Sequence, residues 1–119
     1  MPTPPDTLAH LSQRLADFAQ ERDWAQFHSP KNLASALSVE AGELLEPFQW
    51  LTEAQSRALS PAQLAAVTDE MADVLLYLVQ LANTLQVDLP AAAHAKITRN
   101  AQRYPVDKAK GRSTKHDAL

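Results

Sequence analysis

Residues 33–51 read LASALSVEAGELLEPFQWL, and apolar side chains recur in this stretch at the spacing of one helix face. The apolar positions are Leu33, Leu37, Ala41, Leu44, Phe48 and Leu51. This spacing predicts an α-helix that turns one face towards a core. Glu40 lies roughly 50° from the middle of that face, and Glu43, three residues later, lies roughly 110° away. A short row of carboxylates is therefore predicted beside the core.

A second row of carboxylates follows in residues 69–73, which read DEMAD. Glu70 and Asp73 again stand three residues apart, so they share one face of a predicted helix. The apolar positions of that helix are Leu64, Val67, Met71, Val74, Leu75, Leu78, Ala82 and Leu85. Ionised carboxylates on a half-buried shoulder lose hydration and repel one another, so two such rows imply a compensating cation. Few basic residues lie nearby in the sequence to supply it.

The ligands of such a site are all oxygen atoms. No histidine stands three residues after a glutamate, so the Glu-x-x-His pattern of di-iron helix bundles is missing. Carboxylate oxygens favour Mg²⁺ or Mn²⁺, and a hard cation held in this way typically serves phosphate chemistry. The alternative is that the acidic rows simply face solvent.

The composition predicts an all-α fold, because the chain is rich in Ala and Leu and lacks the β-branched and aromatic runs that strands need. Four helices are predicted, and their bounds are Asp6 or Thr7 to about residue 23, residues 29–32 to about 51, Ser60 to residue 86, and residues 89–103. Pro47 predicts a kink or an early end in the second helix. Ser29 and Asp88 are the predicted N-caps of the second and fourth helices, and residues 52–59 are predicted to form a polar loop.

A chain of 119 residues makes one domain with a small core. Its apolar faces are therefore expected to be completed by oligomerisation, in a homodimer or a homotetramer. We place the domain at residues 1–105 and expect residues 106–119 to form a basic, flexible tail. Seven of the eleven lysines and arginines lie from Lys96 onward, and the rest of the chain is acidic. This distribution suits a site for metal and polyphosphate, and nucleic-acid binding is not expected.

Other classes of function are disfavoured by the residues that the sequence lacks. Without cysteine there is neither a disulfide nor a thiolate metal site, and no glycine-rich phosphate loop or local Ser-His-Asp arrangement occurs. The longest apolar run, residues 74–82, is interrupted by Gln80 and is too short to cross a bilayer. Residues 1–7 hold three prolines but no basic or apolar run, so no signal peptide is expected and a cytoplasmic location is predicted.

The aromatic residues after the first helix and the glycine inside the second helix can each be interpreted in two ways. Trp24 and Phe27 concentrate aromatic surface after the first helix, where they would serve either as a core plug or as a stacking platform. Gly42 lies inside the second helix, where glycine is unfavourable. Either another group approaches the backbone closely at Gly42, or the residue is a neutral position on the outer face.

Six further segments carry a family resemblance, and they are residues 21–24 (ERDW), 26–28 (QFH), 48–50 (FQW), 73–75 (DVL), 87–90 (VDLP) and 103–105 (RYP). Together with the paired acidic rows, they resemble the MazG-like all-α NTP pyrophosphohydrolases, and within them the dCTP pyrophosphatase branch. The resemblance covers about residues 8–105. It implies a four-helix subunit in a dimer or tetramer that cleaves a dNTP, dCTP or a modified dCTP, to the monophosphate and pyrophosphate.

The same resemblance implies roles for individual residues. The Mg²⁺ ligands, for which Mn²⁺ could substitute, would be Glu40, Glu43, Glu70 and Asp73, and one of the glutamates would position or deprotonate the attacking water. The substrate would be bound by Trp24, His28, Trp50 and Tyr77 around the base and by Lys31, Lys96, Asn100 and Tyr104 at the phosphates or sugar. Pro47 stands where the family usually has an apolar, helix-favouring residue, which affects the position of Trp50. Glu46 extends the first row and is expected either to support the ligands or to face solvent.

Two alternatives to a dCTP pyrophosphatase stay open at this point. Within enzymes, the alternative is a dUTP or broad-range NTP pyrophosphatase, which a panel of nucleotide substrates distinguishes. Outside enzymes, the alternative is a helical interaction module whose acidic rows are merely exposed. The module predicts no effect of divalent cations on the melting temperature, whereas a true metal site gains stability by mass action.

Overall fold

The computed structural model describes residues 7–119. Its helices, in chain order, are α1 (Leu8–Glu21), α2 (Pro30–Leu45), α3 (Glu53–Ser56), α4 (Pro61–Leu85), α5 (Leu89–Arg103) and α6 (Val106–Ala109). Short 3₁₀ helices occupy Ala25–Phe27 and His116–Ala118. No strand occurs between residues 7 and 119, and the predicted all-α class is confirmed.

Capping hydrogen bonds confirm the predicted helix starts. The hydroxyl of Ser60 accepts a hydrogen bond of 3.2 Å from the backbone N–H of Gln63, whose side chain accepts one of 2.8 Å from the backbone N–H of Ser60. The carboxylate of Asp88 caps α5 by accepting a bond of 3.0 Å from an N–H of its first turn. Thr7 caps α1, while Asp6, the other candidate for this position, lies outside the described residues. These side chains satisfy donors that a helix leaves unpaired.

Helix α2 is shorter than predicted. It begins after the N-cap Ser29, as expected, but it ends at Leu45 and not near residue 51. The reason is Pro47, which has no N–H and whose ring clashes with the preceding turn of a helix. The chain continues in turns, with the N–H of Phe48 donating to the carbonyl of Leu45 at 2.9 Å. The early end at the proline is confirmed, and the end near residue 51 is wrong.

Residues 52–59 were predicted to form a polar loop, but they contain the one-turn helix α3 (Glu53–Ser56). The loop prediction is therefore wrong for residues 53–56. Thr52 and Gln55 make a reciprocal pair of bonds. The Thr52 hydroxyl accepts from the N–H of Gln55 at 3.1 Å, and the Gln55 side chain accepts from the N–H of Thr52 at 2.9 Å. This capping box stabilises a helical turn that has no apolar periodicity.

The chain divides into two compact units, one ending at Gln86 and the other running from Val87 to Leu119. In the first unit, α4 packs against both α2 and α1. The contact with α1 includes two hydrogen bonds, because the hydroxyl of Ser12 donates to Oδ1 of Asn83 and Nδ2 of Asn83 donates to the carbonyl of Ser12 at 3.2 Å. Helix α4 is therefore the central helix of this unit.

The buried core among the described residues is small and consists of Ala19, Leu33, Val67, Val79 and Ala82. Helix α4 leaves further large apolar side chains exposed, namely Leu64, Met71, Leu75, Leu78 and Leu85. Completion of the core by a second subunit stays a prediction. No helix of residues 7–119 is long and apolar enough to cross a membrane.

The second unit contains α5, which has the predicted bounds. The predicted tail, residues 106–119, contains α6 and a 3₁₀ turn. The ring of His116 packs edge-on against the ring of Tyr104, with centroids 5.8 Å apart. The domain boundary near residue 105 and the flexibility of the tail stay predictions.

Candidate active site

Three of the four predicted carboxylates meet where α2 packs against α4. Glu40 and Glu43 lie one turn apart on α2, and carboxylate oxygens of these two residues and of Glu70 on α4 all lie within 4.8 Å of one another. All three side chains are half-buried. Asp73, one turn after Glu70, is exposed and does not belong to this group of three, but its charge acts on both Glu40 and Glu70. We call these four residues the acidic cluster.

Burial, together with neighbouring negative charges, raises the pKa of two members of the acidic cluster. Burial raises the pKa of Glu40 to about 7, assisted by a hydrogen bond and charge from Glu43 and by the charges of Asp73 and Glu70. Burial is also the largest cause of the raised pKa of Glu70, followed by the charges of Glu43 and Asp73. The fold therefore holds together carboxylates that either protons or a cation must neutralise.

Two oxygens of the acidic cluster are buried without a hydrogen-bond partner among the described residues. They are Oε2 of Glu40 and Oε2 of Glu70, one from each helix. A buried acceptor without a partner lowers stability, and a bound cation is one group that would compensate for this loss. Because every donor is a carboxylate oxygen, these residues fit a hard divalent cation such as Mg²⁺ or Mn²⁺.

A cavity of about 180 Å³ adjoins the acidic cluster. Its wall is formed by Leu15, Phe18, Ala19, Trp24, His28, Asp73, Leu76, Tyr77 and Gln80. Asp73 connects the two sites, since it lines the cavity and also acts on Glu40 through its charge. A cavity of roughly 150 Å³ in another protein binds benzene. The cavity beside Asp73 is therefore large enough for one six-membered ring.

Trp24 forms part of an aromatic platform at this cavity. It lines the cavity and is 42% exposed, so the core of this chain does not enclose it. Its ring packs edge-on against Phe18 and against His28, with centroid distances of 5.5 and 6.4 Å. Phe18 is itself covered by the guanidinium of Arg22, whose central carbon lies 3.6 Å from the ring centroid. Of the two interpretations of Trp24, the geometry favours the stacking platform, because rings fixed by their neighbours offer a flat surface to a flat ligand.

Gln80 is a cavity residue that the sequence pattern did not identify as part of the site. Its Nε2 lies 3.2 Å from Nδ1 of His28. Its Oε1 is buried and has no hydrogen-bond partner in the part of the chain that the structure describes. A signal was present in the sequence, because Gln80 is the one amide within the most apolar run of α4. A polar group placed there is unfavourable unless it has a partner or a function.

Other predicted residues of the first unit lie apart from the cavity wall. Trp50 follows the end of α2 and is 86% exposed. Lys31 is exposed on the first turn of α2. Glu46 is also exposed and lines an open groove together with Glu43 and Glu70.

The remaining three predicted substrate residues belong to the second unit. Lys96 and Asn100 lie one turn apart on the exposed surface of α5. Tyr104 is the C-cap of α5, and its backbone N–H donates to the carbonyl of Asn100 at 2.8 Å. Their contacts with substrate stay predictions.

Comparison with known proteins gives a consistent result. The MazG-like family matches residues 35–119. The chain is 46% identical to dCTP pyrophosphatase 1 of Rattus norvegicus and 45% identical to that of Homo sapiens, in each case over 98% of this chain and 70% of the relative. A crystal structure of a pyrophosphatase from Archaeoglobus fulgidus superimposes with a TM-score of 0.79 at 32% identity, covering 88% of this chain and 98% of that one.

Proposed function

This chain belongs to the MazG-like family, and from that premise we propose that it is a nucleotide pyrophosphatase that cleaves dCTP or a modified dCTP to the monophosphate and pyrophosphate. The activity named for relatives that are 45–47% identical supports this substrate class. In the reaction, water attacks the α-phosphorus, the bond to the bridging oxygen breaks, and pyrophosphate leaves.

The observation that carries the proposal is the position of the acidic cluster beside a cavity for one ring. A nucleoside triphosphate needs a pocket for its base and, close to it, a site that tolerates several negative charges of the phosphates. The cavity of about 180 Å³ suits a pyrimidine. Asp73 belongs both to its wall and to the acidic cluster, so the base and the triphosphate would occupy neighbouring sites.

A divalent cation is part of this proposal, and we expect Mg²⁺, with Mn²⁺ as a substitute. Glu40, Glu43 and Glu70 would hold it, and Asp73 would contribute from the rim of the cavity. When bound, such a cation neutralises phosphate charge and lowers the pKa of a coordinated water. The unpartnered oxygens of Glu40 and Glu70 support this assignment.

The chain's own residues have three tasks in the proposed reaction. Glu40 or Glu43 positions the attacking water and accepts its proton, which is the task of a general base. Trp24 and Tyr77 enclose the base in the cavity, with His28 at its edge. The aromatic rings exclude water around the base and fix its plane, so that the triphosphate is directed towards the carboxylates.

The remaining contacts of the proposed complex are assigned by the family resemblance. The phosphates or sugar would be contacted by Lys31, Lys96, Asn100 and Tyr104, and Trp50 would flank the base. Assembly into a homodimer or homotetramer is proposed because α4 exposes a set of large apolar side chains. A cytoplasmic location and no role for nucleic acid complete the proposal.

A panel of nucleotide substrates tests the proposed function. The full chain is incubated with each dNTP, and with dUTP, in the presence of Mg²⁺, and pyrophosphate and orthophosphate are measured separately. The expected result is release of pyrophosphate from dCTP without orthophosphate. Glu43→Gln keeps the shape of the side chain but removes its charge, and it is expected to abolish the release.

Glu53→Gln is the matched control for that variant, because Glu53 lies on α3, outside the acidic cluster, and its side chain is exposed. It is expected to retain activity. Absence of pyrophosphate from every nucleotide would overturn the proposed function. Full activity of Glu43→Gln would overturn the assignment of Glu43.

A further inference from the structure

Gln80 occupies the same face of α4 as the other cavity residues that this helix supplies. Asp73, Tyr77 and Gln80 follow one another at intervals of four and three residues, so they form one row along the helix. All three line the cavity. The carboxylate of Asp73, which belongs to the acidic cluster, therefore lies at one end of the row, and the amide of Gln80 lies at the other end.

The amide of Gln80 is paired on one side only. Its Nε2 lies 3.2 Å from Nδ1 of His28, and because an amide nitrogen only donates, Nδ1 is the acceptor of this hydrogen bond. This hydrogen bond joins α4 to the segment that follows the first 3₁₀ helix. Because it uses the nitrogen of the amide, the oxygen is the atom left without a partner. The free end is Oε1, an acceptor that is buried and has no partner among residues 7–119.

A ligand with a hydrogen-bond donor on its ring would satisfy this acceptor. The pyrimidine bases differ at one edge, where cytosine has an exocyclic amine and uracil and thymine have a carbonyl oxygen. We propose that Gln80 is the residue that selects cytosine, because Oε1 accepts a hydrogen bond from the exocyclic amine of the base in the cavity. This inference rests on the proposed function for the identity of the ligand, and it adds the residue that reads the base.

Selection follows from rejection of the other bases as well as from attraction of cytosine. A carbonyl at the same position would place two acceptors against each other, and both would lose hydration without gaining a bond. Rotation of the Gln80 amide would offer its NH₂ group to that carbonyl. However, rotation would also turn Oε1 towards Nδ1 of His28, and the two side chains would then form a hydrogen bond only if the imidazole changed tautomer and carried its proton on Nδ1. In this proposal His28 is a positioning residue, because the tautomer with its proton on Nε2 holds Gln80 in the orientation that suits cytosine.

The test compares dCTP with dUTP as substrates of the full chain with Mg²⁺. Gln80→Met keeps an unbranched side chain of similar length and removes the acceptor. The ratio of kcat/KM for dCTP to that for dUTP is expected to fall about tenfold or more in this variant, which is the value of one lost hydrogen bond. Thr68→Val is the control, because it removes an exposed hydroxyl of α4 that donates to the carbonyl of Leu64 and does not line the cavity, and it is expected to leave the ratio unchanged.

Gln80→Leu repeats the experiment if Gln80→Met does not fold. A ratio in either folded variant that stays within twofold of the unaltered chain would overturn the inference, as would an unaltered chain that prefers dUTP. If no nucleotide is hydrolysed, the proposed function fails, and calorimetric titration with dCMP and dUMP decides the inference separately. Binding of dCMP that weakens about tenfold in Gln80→Met supports it, whereas equal binding of the two monophosphates, or binding of neither, overturns it.

Discussion

The carboxylate oxygens of Glu40 and Glu70 lie within 4.8 Å of each other, although one residue belongs to α2 and the other to α4. Packing of these two helices thus holds two negative groups together, and each keeps one oxygen without a hydrogen-bond partner among the described residues. Like charges at this separation oppose folding. The arrangement is understandable if a ligand of opposite charge compensates for the repulsion.

The raised pKa of Glu40 predicts how stability depends on pH when divalent cations are removed with a chelator. Its ordinary value is 4.5, and its value in the folded chain is about 7. The folded state therefore binds this proton more tightly than the unfolded state between these two values. The free energy of unfolding is expected to fall as pH rises from about 4.5 to about 7 and to level off above pH 7.

Melting temperatures measured across this range in the unaltered chain and in Glu40→Gln check this prediction. The amide cannot titrate, so the decline with pH is expected to be shallower in the variant. Glu53→Gln, which removes an exposed carboxylate on α3, is expected to keep the decline. Parallel curves for Glu40→Gln and the unaltered chain would contradict the assignment of the raised pKa to Glu40.

The hydrogen bonds between Ser12 and Asn83 are expected to stabilise the contact between α1 and α4. Asn83→Leu removes the partner of the half-buried Ser12 hydroxyl and also the second bond, from Nδ2 of Asn83 to the carbonyl of Ser12. Loss of these bonds is expected to lower the free energy of unfolding by about 1–3 kcal/mol, measured by urea denaturation. Thr84→Val, on the exposed side, is expected to change it by less than about 0.5 kcal/mol. Equal stability of the two variants would show that the pair does not hold the helices together.

Gly42 is expected to be replaceable. Beyond its chain neighbours and the backbone of its own helix, a Cβ built at this position has no atom of the described residues within 4 Å. Of the two interpretations of Gly42, the structure therefore favours the neutral position on the outer face. Gly42→Ala is therefore predicted to raise the free energy of unfolding by about 1 kcal/mol, because alanine favours the helix. Gly111→Ala is the contrasting control, since Gly111 has a φ of 77° and alanine is strained in that region. Lower stability of Gly42→Ala would indicate that another chain packs against this position.

Local signals accounted for the helix starts, because capping involves residues only three apart. Ser60 with Gln63, and Asp88 at the start of α5, could be identified without any knowledge of packing. The same signal at Thr52 and Gln55 was missed, because the segment has no apolar periodicity to indicate a helix. The effect of Pro47 was recognised, but the number of residues that the helix loses before a proline depends on the turns that replace it.

Part of the site was also predictable from signals between residues that are close in the sequence. Rows of carboxylates at helical spacing indicated the acidic cluster, since i and i+3 positions share a face. Gln80 could not be assigned a role in this way, because its relation to His28 joins two segments that only the packing of the fold brings together. The apolar spacing also did not predict that Trp50 is exposed, because this spacing extended the second helix to about residue 51.

The exposed apolar side chains of α4 predict self-association. Leu75→Lys places a charge on this face, where Leu75 is 41% exposed, and it is expected to weaken association in sedimentation velocity experiments. Thr68→Lys adds the same charge at an exposed polar position of α4 and is expected to have less effect. An unaltered chain that sediments as a monomer at micromolar concentration would contradict the proposed assembly.

The central claim is that carboxylates from α2 and α4 together bind a divalent cation. Thermal unfolding with increasing Mg²⁺ tests it most directly, because a ligand that binds only the folded state stabilises it by about 2.7 kcal/mol at one hundred times its Kd. The account predicts that the melting temperature of the unaltered chain and of Glu53→Gln rises with Mg²⁺, and that Glu70→Gln loses most of this rise. A melting temperature of the unaltered chain that does not respond to Mg²⁺, or an equal response of Glu70→Gln, would contradict it.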